Sequence, residues 1–166
     1  MRTVSRKISD LSNDPANARK HNDRNIDAII ASLRRFGQQK PIVVDSSGVV
    51  RAGNGTLEAA RRLGWQSIDC VTTALQGSDA IAYAIADNRT AELAEWDEDT
   101  LAAQLNGLLT ESEDIALEAG FTASEVDAML KRYEDQPEPT PADDCGSDRT
   151  VGCNCPGCGF DFEVAA

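Results

Sequence analysis

The sequence predicts an α+β fold, and three observations predict it: an apolar helical stripe, β-branched runs separated by turn residues, and a second half that reads as helices alone. In order, residues 25–36, NIDAIIASLRRF, carry Ile26, Ile29, Ile30, Leu33 and Phe36 at helical spacing, with Gly37 as the stop. PIVVDSSGVVRAG follows. Its runs 42–44 and 49–50 flank Asp45-Ser46-Ser47-Gly48 and predict a hairpin, with Pro41 at the strand opening, where a missing N–H costs least. The turn AGNGT leads into a helix over 57–63 capped by Gly64, then a strand around 68–72. From Ser78, SDAIAYAIADNRTAEL predicts a long buried helix capped by Ser78-Asp79. Two further helices are predicted over 97–109 and 122–133, the second opened by a capping box of Thr122 and Glu125, with a short helical turn in the acidic stretch between them.

A chain of 166 residues holds one compact domain and an appendage, since domains most often run to about 100–150 residues. Hydrophobic residues make up 41% and charged residues 27%, and the longest apolar run is far short of a bilayer span, so no membrane segment is predicted. The start, MRTVSRKISDLSND, lacks the apolar stretch of a secretory signal, which makes the cytoplasm, with reduced thiols, the default compartment. The net charge of −12 is unevenly spread: residues 1–66 carry 12 Lys and Arg against 6 Asp and Glu, whereas residues 67–166 carry 4 against 22. The acidic total argues against diffuse nucleic-acid binding, while the basic first part has the charge for a local phosphate surface or simply a solvated face.

Several residues stand where chemistry is available. In Gly53-Asn54-Gly55-Thr56 the glycines allow close approach by an anion, and a helix starting near Thr56 or Leu57, capped by Thr56, presents unpaired N–H groups to phosphate; a tight turn needs glycine in any case. Asp87 and Asn88 offer oxygens to magnesium, and Arg89 a partner to phosphate or carboxylate; the same trio also suits hydrogen bonds that fasten a helix to a sheet. Arg19 is a further phosphate contact, and the lone His21 reads as an exposed loop residue. Cys70, in SIDCVTT, reads as a small buried hydrophobe. Beyond the acidic, proline-rich 134–144, a solvated linker, residues 145–164 hold CPGCG. Cys145, Cys153, Cys155 and Cys158 make a four-thiolate set for zinc, with a reduced tail or an intermolecular site as the alternatives.

NDPANARKH, SLRRFGQQKPIVV, GVVRAGNGTLEAARRLG and YAIADNRTAELAEWD, in that order, together resemble the ParB/sulfiredoxin superfamily. The likeness is strongest to phage and prophage ParB-like domains found in front of DNA methyltransferases. It continues through LEAGFTASEVDAMLKRY and covers roughly residues 8–133. The resemblance implies a small mixed sheet with helices over 8–96 and a helical extension over 97–133. It also implies that Asp87-Asn88 hold a magnesium brought by a nucleotide, CTP or ATP. The family's uses include partition clamps, nucleotide phosphotransfer, nuclease activity and accessory roles beside modification enzymes. Here Asn54 and Thr56 stand in the box where ParB proper has arginines and sulfiredoxin a reactive cysteine, which removes sulfiredoxin chemistry and weakens triphosphate clamping. Arg51, Arg61 and Arg62 are available to compensate.

Three readings follow. The first is a nucleotide-binding, DNA-associated accessory or regulatory protein of phage or prophage type, with DNA, a DNA-modifying enzyme or a second copy of the chain as partner. The second is a metal-dependent nuclease or nucleotide hydrolase using the same groove. The third is a non-catalytic adaptor working through the acidic helices of 92–133 and the cysteine tail. No helix-turn-helix is evident after the first domain, so a complete partition role is not expected.

Overall fold

The computed structural model describes residues 2–134, 150–154, 157 and 161–165. The chain divides into two compact units, residues 1–133 and 134–166. In the first, five strands form one mixed sheet in the order β1-β5-β3-β4-β2: β1 (Thr3–Lys7), β2 (Ser12–Asn13), β3 (Ile42–Val44), β4 (Val49–Ala52) and β5 (Ser67–Thr72). β3 runs antiparallel to β4, as the hairpin reading requires, and parallel to β5. Parallel neighbours need a crossover, which β4 and α2 (Asn54–Arg62) provide. Asp45 closes the hairpin: its Oδ1 accepts from the Ser47 N–H at 2.9 Å, the Ser47 hydroxyl at 2.7 Å and the Val49 N–H at 3.0 Å.

β1 and β2 were not legible in the sequence. β1 pairs antiparallel with β5, Thr3 opposite Val71 through Lys7 opposite Ser67, but it lies at the sheet edge with its side chains largely in solvent, so it carries no apolar alternation. Behind the sheet, Ile8, Leu11, Ile42, Val44, Val50, Leu57, Ala60, Ile68 and Cys70 form the core. Cys70 is the buried hydrophobe its strand context suggests, and burial pushes its thiol up and away from reactivity. α1 (Asp23–Phe36) packs Ile26 and Leu33 against Ala59 of α2. It opens on an Asn22 side chain that accepts the Asn25 N–H at 2.8 Å, and it stops at Gly37.

α3 (Gly77–Glu92) departs from expectation at its start and in its burial. It begins behind Gln76 with no side-chain cap, so Ser78 and Asp79 lie inside it. Of its residues only Ala80 is buried, while Ile81 and Ile85 are 50% and 55% exposed. An alanine-rich helix reads as apolar all round, yet this one meets the sheet chiefly at β4. α4 (Glu98–Glu111), α5 (Glu113–Glu118) and α6 (Ala123–Glu134) form the extension, with a small core of Leu101, Leu105, Ala116 and Val126. The capping box is present: the Glu125 N–H donates to Thr122 Oγ1 at 3.2 Å and the Thr122 N–H to Glu125 Oε2 at 2.8 Å. Ion pairs from Arg24 to Glu125 and from Arg35 to Glu118 tie this extension to α1.

In the second unit, β6 (Thr150–Asn154) and β7 (Asp161–Ala165) pair antiparallel, with Cys153 opposite Phe162. Residues 135–144 of the acidic stretch, and Cys145, Cys155 and Cys158, lie outside the described residues. Among the described residues no helix is long and apolar enough to cross a membrane.

Candidate functional site

β4 ends at Ala52 and α2 begins at Asn54, with Gly53 as its N-cap in the left-handed region at φ 94°. The helix therefore starts ahead of Thr56, which is an internal residue of its first turn and not its cap. A Cβ on Gly53 would lie 2.5 Å from Ile42 Cγ2, and one on Gly55 would lie 2.8 Å from Cε1 of the His21 ring. Both glycines thus let the turn close on its own neighbours, Ile42 and His21, on the side where a Cβ would stand. The first intrahelical bond runs from the Leu57 N–H to the Gly53 carbonyl at 3.0 Å. The N–H groups of Asn54, Gly55 and Thr56 precede it and find no acceptor inside the helix, and no side chain caps them. They carry the partial positive charge of a helix start.

The Asn54 side chain does different work from the phosphate contact expected of it. It is buried, its Oδ1 accepts from the Asp14 N–H at 3.0 Å, and its Nδ2 donates to the Val50 carbonyl at 3.2 Å. It pins residues 13–14 to the turn, leaving the backbone N–H as what Asn54 offers outward. His21 also differs from expectation: it is half-buried against Gly55, with Nδ1 2.7 Å from Asn25 Oδ1 and Nε2 without a partner among the described residues. Sequence reasoning passed over it because its neighbour across the turn is more than thirty residues away; the glycine at the second helical position of α2 was the available signal.

These elements line a cleft of about 170 Å³ that brings together Gly53 to Thr56, Asp87 and Asn88 of α3, His21, Asn17 and Arg51. The structure thus brings the glycine turn and the acid-amide pair together. Asn88 Nδ2 donates back to the Ala84 carbonyl at 2.8 Å, which leaves its Oδ1 uncommitted. Asp87 makes no ion pair among the described residues, and with burial its charge pushes the Tyr83 phenol up one turn away. One carboxylate and one amide oxygen fit a magnesium that arrives with phosphate oxygens and water, the usual mode of that ion. Among the described residues no three His, Cys, Asp or Glu side chains converge as an all-protein metal cage.

Arg19 and Arg89 stand beside this cleft, at the rim of an adjoining pocket of about 260 Å³ that shares Asn17 and Asn88 with it. The three arginines expected to compensate for the missing family arginines are committed elsewhere. Arg51 bridges Asp14 at 2.7 Å and Asp45 at 2.8 Å. Arg61 donates to Asn13 Oδ1 and, at 2.8 Å, to the Leu11 carbonyl, and Arg62 pairs with Asp23 and Glu58 at 3.3 Å each. What surrounds the cleft is therefore backbone N–H groups, the doubly paired Arg51 in its lining, two rim arginines that share Glu92, and the Asp87 and Asn88 oxygens.

No protein-family model matches the chain. Residues of this chain are 30% identical over 71 positions, 43% of the chain and 82% of the relative, to the ParB-like nuclease domain-containing protein YnaK of Escherichia coli K12. Among solved structures, the chromosome-partitioning protein ParB of Caulobacter crescentus, complexed with CTP-γ-S, matches with a TM-score of 0.71 at 20% identity, covering 83% of this chain and 81% of that one. That likeness is one of fold. Identity of that extent over most of the Escherichia coli relative, on a fold shared with a ParB protein, shows that this chain belongs to the ParB-like family.

Proposed function

We propose that the chain is a nucleotide-binding, DNA-associated accessory or regulatory protein of phage or prophage type. In this reading nucleotide phosphates rest on the N–H groups of Asn54, Gly55 and Thr56, and a magnesium carried by the nucleotide sits on Asp87 and Asn88. The single observation that supports it is the shared cleft: an uncapped helix start and the Asp87 and Asn88 side chains line the same space of about 170 Å³. The cation would neutralise phosphate charge that Asp87 alone would repel; the chain's own groups bind and orient. CTP is the first nucleotide to try, because the Caulobacter ParB that shares the fold is complexed with CTP-γ-S, and ATP is the second. Isothermal calorimetry with each nucleotide and magnesium tests the reading. Heat of binding is expected for the wild type, with affinity at least about tenfold weaker in Asn88→Ala, one lost charge-assisted contact; no heat with either nucleotide would sink it.

The metal-dependent nuclease or hydrolase reading uses the same cleft, and one observation favours it: the His21 ring stands there with Nε2 open to exchange a proton. Nucleotide or DNA product that forms with the wild type and not with Asp87→Ala or His21→Ala would establish it. The zinc reading of Cys145, Cys153, Cys155 and Cys158 is a further proposal that rests on the CPGCG sequence alone; metal analysis of the purified chain decides it.

A further inference from the structure

At the rim of the 260 Å³ pocket, one carboxylate is held by two arginines from different parts of the chain. Arg19 Nη1 donates to Glu92 Oε1 at 2.6 Å, and Arg89 Nη1 lies 3.4 Å from Glu92 Oε2. Each oxygen takes one guanidinium, the arrangement in which paired arginines hold a phosphate. Arg19 is presented by the segment before α1, its backbone pinned on both sides by the Asn17 amide. Arg89 and Glu92 stand one turn apart on α3, next to the two residues assigned above to magnesium. The side chains are 42%, 63% and 49% exposed, so pairs of this kind add little to the stability of the fold and exchange partners readily.

We propose that Glu92 is an internal competitor for phosphate. In the free protein its carboxylate occupies Arg19 and Arg89; when a nucleoside triphosphate enters the cleft, a terminal phosphate displaces it and takes both guanidinium groups. No bond is made or broken in this exchange, which trades a singly charged carboxylate for a multiply charged phosphate with more acceptor oxygens. The inference rests on the nucleotide reading above and adds its regulation. Glu92 sets a threshold, so that a ligand whose phosphates do not reach the arginines binds without their help. It also accounts for a site without the family's box arginines, since its two cations are held in reserve at the rim.

The test is calorimetry on the full chain at fixed ionic strength, with CTP and ATP as magnesium complexes. Glu92→Gln is expected to tighten binding of whichever nucleotide the wild type takes by about 3- to 10-fold, the range of two exposed ion pairs. Glu95→Gln, an equal change of charge just beyond α3, is expected to leave affinity unchanged. The gain should vanish when Glu92→Gln is made on top of Arg19→Ala, because there the competitor has lost its main partner. Unchanged or weaker binding in Glu92→Gln beside a binding wild type overturns the inference alone. So does an equal gain in Glu95→Gln, or a gain that survives Arg19→Ala. Silence from both the wild type and Glu92→Gln overturns the nucleotide reading and the inference with it.

Discussion

Arg51 holds two carboxylates that the fold takes out of water: Asp14 and Asp45 are 7% and 9% exposed, and the guanidinium bonds to both. Burial by itself would raise the Asp45 carboxyl, but bonds from the Ser47 hydroxyl, the Val49 N–H, Arg51 and the Ser47 N–H together hold it down to about 2. A carboxylate whose pKa is depressed in the folded state stabilises above its unfolded value and stops doing so below its folded one. The protein should therefore lose stability as pH falls from about 4 towards 2, and Asp45→Asn should flatten that part of the melting-temperature profile. Removing the shared cation strands both anions, so Arg51→Met should cost roughly 3 kcal/mol in urea unfolding; an unmoved midpoint would show that the triad is held by water instead. Asp45 finds its partners within six positions, but the place of Asp14 was not readable from residue order, because it meets Arg51 and Asn54 across 37 and 40 positions.

Elements were legible in proportion to how local their causes are. The hairpin, α1 and the capping box of α6 each rest on residues within one turn of each other, and the sequence carries them openly. β1 rests on a partner more than sixty positions further along the chain, Thr3 opposite Val71, and its polar edge position erases the alternation that would have announced it. α3 was misjudged for the opposite reason: its composition says buried, while its single packed side says otherwise. The glycine turn lies between these cases, since its existence was plain and its purpose was not. At φ 94° with Ile42 behind it, Gly53 admits no side chain, so Gly53→Ala should destabilise by about 2 kcal/mol or more through backbone strain and overpacking, read by chemical denaturation. A neutral result would mean that the turn rebuilds without its left-handed residue.

Across the whole chain, the uneven charge seen in the sequence is put to use within the first unit. Basic α1 meets the acidic extension through Arg24–Glu125 at 2.5 Å and Arg35–Glu118 at 3.3 Å. Glu125 serves twice, since it also closes the amino end of α6; Arg24 first, then the Thr122 N–H and hydroxyl, keep its carboxyl at about 2. Glu125→Gln should therefore loosen the extension selectively, with amide exchange rising in residues 98–134 while β3 and β5 stay protected; a uniform rise would mean that the sheet and the extension open as one. The acidic surplus of residues 67–166 is thus in part a means of docking one layer of the protein on another.

The unguarded start of α2 has one more consequence. α1 and α4 have their first N–H groups met by Asn22 and Asp97, and α6 by Thr122, whereas Gly53 brings α2 nothing of the kind. A glycine in place of Asn, Asp, Ser or Thr at this position leaves a helix short of only about a few tenths of a kcal/mol. An anion seated there would restore what the sequence omits, so the bound molecule would act as a structural part of the helix, and the occupied protein should be the harder one to melt.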